Sequence, residues 1–272
     1  MTNTSKWTLR VVVMSYLGVL IGLPVTFLVV KAFGHGFGAF WSEVTQRDAL
    51  DALKLSLEVA AIAVPVNALV GVGAALLIAR HDFVGKRVLD TVFDVPIAIS
   101  PIIIGIALVL AYSRIGWFGA PLARWGINVL FTPLGIVLAT MSVSLPYVLR
   151  SILPVLLEVG DDQEQAARTL GAGRFRIFFQ VTLPSIRWAV LYGVTLTIAR
   201  TLGEFGAVLV VSGNITGVTQ TLPIYIFDSW DQRFDVLGSY SGALVLALIS
   251  IGVLGILAAL KRREKKLLVD FA

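Results

Sequence analysis

The chain has 272 residues, 57% of them hydrophobic and only 14% charged, with no cysteine and a formal net charge of +5. A soluble domain is nearer half apolar and a quarter charged, so this composition, with a mean hydropathy of +0.88, points to a membrane protein. The missing cysteines exclude disulfides, thiolate nucleophiles and zinc–thiolate sites, and basic residues that flank apolar runs indicate membrane topology rather than nucleic-acid binding.

A membrane-spanning helix needs about 20 consecutive, mostly apolar residues. Six stretches qualify: 11–30, 55–78, 88–112, 134–157, 188–211 and 241–260. The first follows Lys6 and Arg10 and reads as an uncleaved anchor, because Lys31-Ala32-Phe33 offers no small-residue cleavage site. Pro65 falls in the second stretch, Pro96 and Pro101 in the third, and Pro146 and Pro154 in the fourth. Prolines are tolerated in the bilayer and predict kinked helices. Residues 34–54 are glycine-rich and then mixed in charge. Residues 113–133 carry Trp117, Phe118 and Trp125, and 214–240 carry Asp228, Trp230, Asp231 and Asp235. These connections could receive a soluble partner or read as segments anchored at the membrane interface. The predicted fold class is all-α, a polytopic membrane bundle of six transmembrane helices. It divides into an N-terminal helix and outer segment (1–52), a core (53–260) and a basic tail (261–272).

With the N-terminus placed in the cytoplasm, fifteen of the 22 lysines and arginines lie on the inner side and six on the outer side, with Arg200 inside a span. The positive-inside rule therefore sets both termini in the cytoplasm.

The longest inner connection, 158–187, lies between the fourth and fifth spans. Asp161 or Asp162 can cap its first helix, and Glu164 can reach back as in a capping box. Gln165-Ala166-Ala167 adds helix propensity and small side chains suited to a groove in another protein. Gly171 and Gly173 permit a change of direction. A second short helix over about 174–181 carries Phe175, Phe178 and Phe179, and Pro184 marks its end.

This segment resembles the permeases of MetI-like ABC importers. Their pattern is Glu-Ala-Ala, three residues, Gly, nine residues, then Ile-x-Leu-Pro. Here Gln165-Ala166-Ala167, Gly171 and Val181-Thr182-Leu183-Pro184 keep that spacing throughout. Gln165 and Val181 depart from it, and Glu164 offers a carboxylate one place earlier. The resemblance implies a type-1 permease core whose coupling helices enter a cleft on a separate ATPase. The coupling residues would be Glu164, Gln165, Ala166, Ala167, Gly171, Ala172, Leu183 and Pro184.

Arg200 and Glu204 lie in the fifth span, within Arg200-Thr201-Leu202-Gly203-Glu204-Phe205-Gly206. An intramembrane charge faces the bundle interior or a wet pathway. Four residues apart on a helix, the two share a face and can pair, and Gly203 and Gly206 let another helix approach. The segment reads either as a pathway or gate, or as a buried pair that fixes packing. Asp94 and Arg150 are secondary candidates: they pair with each other, or Arg150 snorkels to the surface. His35 and His81 fall in connections.

Residues 94–101, 181–193 and 203–213 further resemble sulfate/thiosulfate permeases, and Gly203-Glu204-Phe205-Gly206 is shared with molybdate permeases. The implied assembly has a second, different permease chain, two ATPase subunits that bind ATP and Mg, and an extracytoplasmic sulfate-binding protein. A homodimeric importer of molybdate or another oxyanion is the alternative. This chain has no Gly-x4-Gly-Lys-Ser/Thr loop for ATP. Its spans lack the cysteine, histidine or clustered carboxylates an intramembrane enzyme would need, so no catalytic, cofactor-binding or metal-binding residue is assigned to it.

Overall fold

The computed structural model describes residues 3–270, with side chains placed over 7–259 apart from residue 257. Every regular element among the described residues is helical. The first span is α1 (Trp7–Ala32), which includes a π turn at Gly18–Gly22. It leads through α2 (Phe37–Val44) into the long α3 (Arg47–Arg80). Next come α4 (Lys86–Ala98), α5 (Pro101–Tyr112), α6 (Gly119–Arg124) and α7 (Pro133–Val159). The chain continues through α8 (Asp162–Thr169), α9 (Arg174–Leu202), α10 (Gly206–Ser212), α11 (Leu222–Asp231) and α12 (Val236–Asp270).

Five of these helices, α1, α3, α7, α9 and the 236–256 part of α12, are long and apolar enough to cross a membrane. The stretch expected to form the third span is not one helix. Its two arms, α4 and α5, meet at 113°. The cause is local: Pro101 disfavours helical geometry at the residue before it, and Ile99 and Ser100 are extended, with ψ of 143° and 136°. The fifth span also differs from its expected bounds. The helix begins at Arg174 and stops at Leu202, so 203–205 forms a break before α10.

The centre of the bundle is the packing of α3 on α7. Gly71 makes it possible: a Cβ there would lie 2.7 Å from the Val148 Cβ and 3.1 Å from the Leu149 nitrogen. Small residues let membrane helices approach this closely. Beside this contact, Asn67 is fully buried and donates to the Met141 carbonyl (3.1 Å) and the Ser144 hydroxyl (2.9 Å). Towards one end, Ala75, Ile78, Leu149, Ile152, Leu156 and Ile186 form a core cluster. This end also carries Arg80 and the 158–187 segment and is called the basic end below. Towards the other end, Leu55, Val59, Ile136, Val137, Val208 and Ile224 form a second cluster. By contrast, none of the apolar window of α1 is buried within the chain. The side chains of the basic tail, Lys261 to Lys266, lie outside the described residues.

Gly71 and Gly73 give opposite expectations. Overpacking a tight helix contact costs about 1–3 kcal/mol, so Gly71→Leu should lower the melting temperature of the detergent-solubilised chain by several degrees. Gly73 has open space around it, and Gly73→Leu should melt with the parent.

Candidate functional site: a braced hairpin and two helix breaks

At the basic end, α3 terminates at Arg80 and α7 terminates at Val159, where Gly160 (φ 68°) turns the chain. The last carbonyls of a helix have no partner within it and carry its negative dipole end. Arg80 satisfies two of them: Nη1 donates to the Leu156 carbonyl (3.0 Å) and Nη2 to the Gly160 carbonyl (2.6 Å). The same guanidinium holds Glu164 of α8, with Nη2 3.1 Å from Oε1 and Nε 3.2 Å from it. The Thr182 hydroxyl also donates to Glu164 Oε1, at 3.0 Å. One buried carboxylate thus ties α8 to α3 and to the start of the fifth span, and Arg80 adds the end of α7 to the same knot.

This arrangement overturns the capping box. Glu164 faces the bundle, and Asp161 makes no side-chain cap bond to the helix. The Asp161 carboxylate instead accepts from Gln165 Nε2 at 2.8 Å. Desolvated contact with a cation is worth more to Glu164 than an exposed backbone amide. Gln165 and Ala166 are exposed, and Ala167 is half-buried. Gly171 (φ 82°) closes α8 as its left-handed cap: its own N–H bonds the Arg168 carbonyl, and the Ala172 N–H bonds the Ala167 carbonyl.

Pro184 does not end the next helix. A π turn at Phe178–Thr182 precedes it, and the helix runs on through Leu183 and Pro184 into the span. The wider turn admits the proline ring, which would clash in a regular helix interior. The hairpin presents Leu170, Phe175 and Phe179 outward, at 88%, 84% and 60% exposure.

Asp94 and Arg150 come together as one of the two expectations had it. Arg150 Nε donates to Asp94 Oδ1 at 2.6 Å, clamping α4 to α7. A further acid, Asp90, was missed in the sequence. Its Oδ1 lies 2.7 Å from Arg150 Nη2 as an ion contact without an aligned hydrogen bond, and its backbone carbonyl accepts from the same nitrogen at 2.9 Å. Its position one helical turn before Asp94 was the available signal.

Arg200 and Glu204 also pair, with Nη1 2.6 Å from Oε2. They do so across a break rather than along one helix, because α9 has ended at Leu202. The second oxygen of Glu204 accepts the Ala207 N–H at 2.9 Å and so caps α10. Gly206 serves a close approach as expected: a Cβ there would lie 3.1 Å from Ile102 Cγ1 and 3.3 Å from Pro101 Cβ. Gly203 does not serve one, having only the Ala199 carbonyl of its own helix within 4 Å. Gly105 plays that part instead, since its Cβ would lie 2.8 Å from the Ala207 carbonyl oxygen. The break before α5 and the break before α10 therefore sit against each other. Phe205 packs on Phe227 of α11, with ring centroids 5.1 Å apart.

At the end of the bundle away from Arg80, Asp228 is more than an interfacial anchor. It is buried and accepts from Asn214 (2.9 Å), Gln220 (3.3 Å) and Arg233 (2.8 Å). Arg233 also donates to Asp48 at the start of α3 (3.0 Å). Partial burial works against the Arg233 charge, but the two carboxylates outweigh it and hold the guanidinium above its ordinary pKa.

Broken helices that meet in the bundle and an outward-facing hairpin at one end belong to a polytopic helical bundle with several membrane-spanning helices. The chain belongs to the family described as "Binding-protein-dependent transport system inner membrane component", whose family model matches residues 68–266. It is 46% identical to the sulfate transport system permease protein CysW of Synechococcus elongatus, over 91% of this chain and 86% of that one. It is 35% identical to CysT, a second sulfate transport system permease protein of the same organism, over 90% and 88% of the two chains. Among solved structures, it resembles a bacterial alginate ABC transporter in complex with an alginate-bound periplasmic protein, with a TM-score of 0.80 at 15% identity over 97% and 96%.

Removing one partner of a buried ion pair costs about 3–5 kcal/mol. Arg80→Ala should therefore free α8, and amide hydrogen exchange across Asp162–Thr169 should speed up by about tenfold or more while the α3–α7 centre keeps its protection.

Proposed function

We propose that this chain is one of two different permease chains in an ATP-driven importer of sulfate and thiosulfate, with both termini in the cytoplasm. The observation that carries this is the hairpin at the basic end. It turns large apolar side chains outward beyond the spans, yet is fixed to three helices through Glu164 and Arg80. Exposed apolar surface of this kind marks a protein contact. The partner is the ATPase, two subunits of which bind ATP and Mg, while this chain holds no cofactor. Gln165, Ala166, Ala167, Gly171 and Ala172 form the docking edge. Leu183 and Pro184 carry its motion into the fifth span.

Closure of the ATPase pair on ATP draws the hairpins together, and relaxation after hydrolysis parts them. A ligand moves such an equilibrium only by its differential affinity for the two states. The element moved is the crossing of the two helix breaks, where Arg200, Gly203, Glu204, Phe205 and Gly206 form the gate. Asp94 and Arg150 brace α4 beside it. The names of the relatives support sulfate as the substrate. The presence of CysW and CysT in one organism supports two different permease chains, and the alginate complex supports delivery by an extracytoplasmic binding protein.

Gly171→Phe places a large side chain at a φ of 82°, inside the docking edge. In cells expressing the complete complex it should abolish labelled sulfate uptake while the permease still reaches the membrane. Normal uptake would overturn the coupling assignment. In the parent complex, thiosulfate should compete with sulfate and molybdate should not. The reverse pattern would move the substrate to molybdate.

A further inference from the structure

The inner edge of the hairpin lines a cleft of about 710 Å³, which shares Glu164 and Ala172 with the proposed coupling segment. One wall is apolar and belongs to a span: Gly73, Leu76 and Leu77 of α3, faced by Ile177 and Phe178. The rim is basic. Arg168 and Arg174 line it with His81, and the one acid present, Glu164, is already held by Arg80. Among the described residues, the Arg168 and Arg174 guanidiniums have no acidic partner.

The apolar wall continues into the bundle surface. Leu69, Gly73 and Leu77 stand four residues apart on one face of α3, and Leu69 and Leu77 are 76% and 41% exposed. Gly73 interrupts that strip with a dent. Glycine is disfavoured inside a helix, and unlike Gly71 this one admits no neighbouring helix, for nothing lies within 4 Å of where its Cβ would be. A dented apolar strip that runs from a span to a rim of unpaired arginines matches one ligand chemistry, an acyl chain joined to an anionic headgroup. A small free anion would need the arginines but neither the strip nor the volume.

We propose that this cleft binds an anionic phospholipid, its phosphate held between Arg168 and Arg174 and one acyl chain laid along Leu69, Gly73 and Leu77. Basic pockets beside membrane helices recognise such headgroups. The site would hold the hairpin at a fixed depth against the membrane surface.

Native mass spectrometry of the detergent-solubilised full chain tests this with phosphatidylglycerol and phosphatidylcholine as probes. The parent should retain phosphatidylglycerol about thirtyfold better than phosphatidylcholine, the preference two surface arginines supply. Arg168→Gln with Arg174→Gln should erase that preference. Gly73→Leu fills the dent without touching a charge and should lower retention of both lipids. Arg187→Gln, outside the cleft, should change neither. Equal retention by the parent, or full retention by Gly73→Leu, overturns the site. If an excess of inorganic phosphate displaces the phosphatidylglycerol, the cleft is a free-anion site. If the purified ATPase displaces it, the cleft belongs to the docking surface. Either result sinks the lipid assignment. Should the double arginine variant fail to fold, Gly73→Leu decides alone.

Discussion

The contact between Arg80 and Glu164 is the constraint on which the basic end of this molecule depends. A buried ion pair gains little net stability, because desolvation of both charges offsets most of their attraction. What it gains is definition. Arg80 reads two end carbonyls of α7 and a carboxylate of α8 with one planar group, and Thr182 brings the fifth span to the same oxygen. The end of α3 and three consecutive segments, the end of α7, α8 and the start of the fifth span, are thereby given one relative position. Under the proposed coupling role, a hairpin that passes a displacement into the helix bundle needs this stiffness, since a loosely tethered one would absorb the displacement itself.

The crossing of the two helix breaks is built differently. Where α3 and α7 pack as whole helices, α5 and α10 meet as ends, each just after an interruption of a span. The interruptions have separate chemical causes, an extended Ile99-Ser100 ahead of a proline and a buried Glu204 after Gly203. Gly105 and Gly206 then bring the two starts into contact. Non-helical backbone at membrane depth is tolerated only inside protein or along a cavity. Glu204 meets that condition by accepting the Ala207 amide while its other oxygen faces Arg200. The Arg150 clamp on Asp90 and Asp94 fixes the arm of the bent pair that leads to the crossing. Charge at this depth therefore serves to hold breaks open in defined shapes. It does not leave a free cation waiting for an anion.

Much of this was legible beforehand where a property depends on local chemistry. Run length and hydropathy located α7 and the end of α3 to within about two residues, while α3 begins at Arg47, ahead of the apolar run expected from residue 55. The spacing from Gln165 through Gly171 to Pro184 located the hairpin, and the change of direction expected at Gly171 is made there by a left-handed cap. Expectations failed where a side chain had two satisfactory uses. Glu164 could cap its own helix or turn inward, and only the nearby Arg80, 84 positions away, decides between them. Pro184 could end a helix or be absorbed by a π turn, and the continuing apolar face of α9 favours the second. Asp90 went unnoticed although it pairs with the same Arg150 as Asp94, one helical turn away.

The sequence by itself determined that this chain crosses a membrane several times, that its elements are helices, and where an outward-facing segment interrupts them. These follow from transfer of apolar residues out of water and from backbone satisfaction in lipid, which are short-range and nearly context-free. Only the tertiary structure decided which charges neutralise which, that two helix breaks face each other, and that a dent at Gly73 opens beside unpaired arginines. Those outcomes depend on distances between helices, and such distances are set by the whole packing around Gly71, Gly105 and Gly206 rather than by any one stretch of chain.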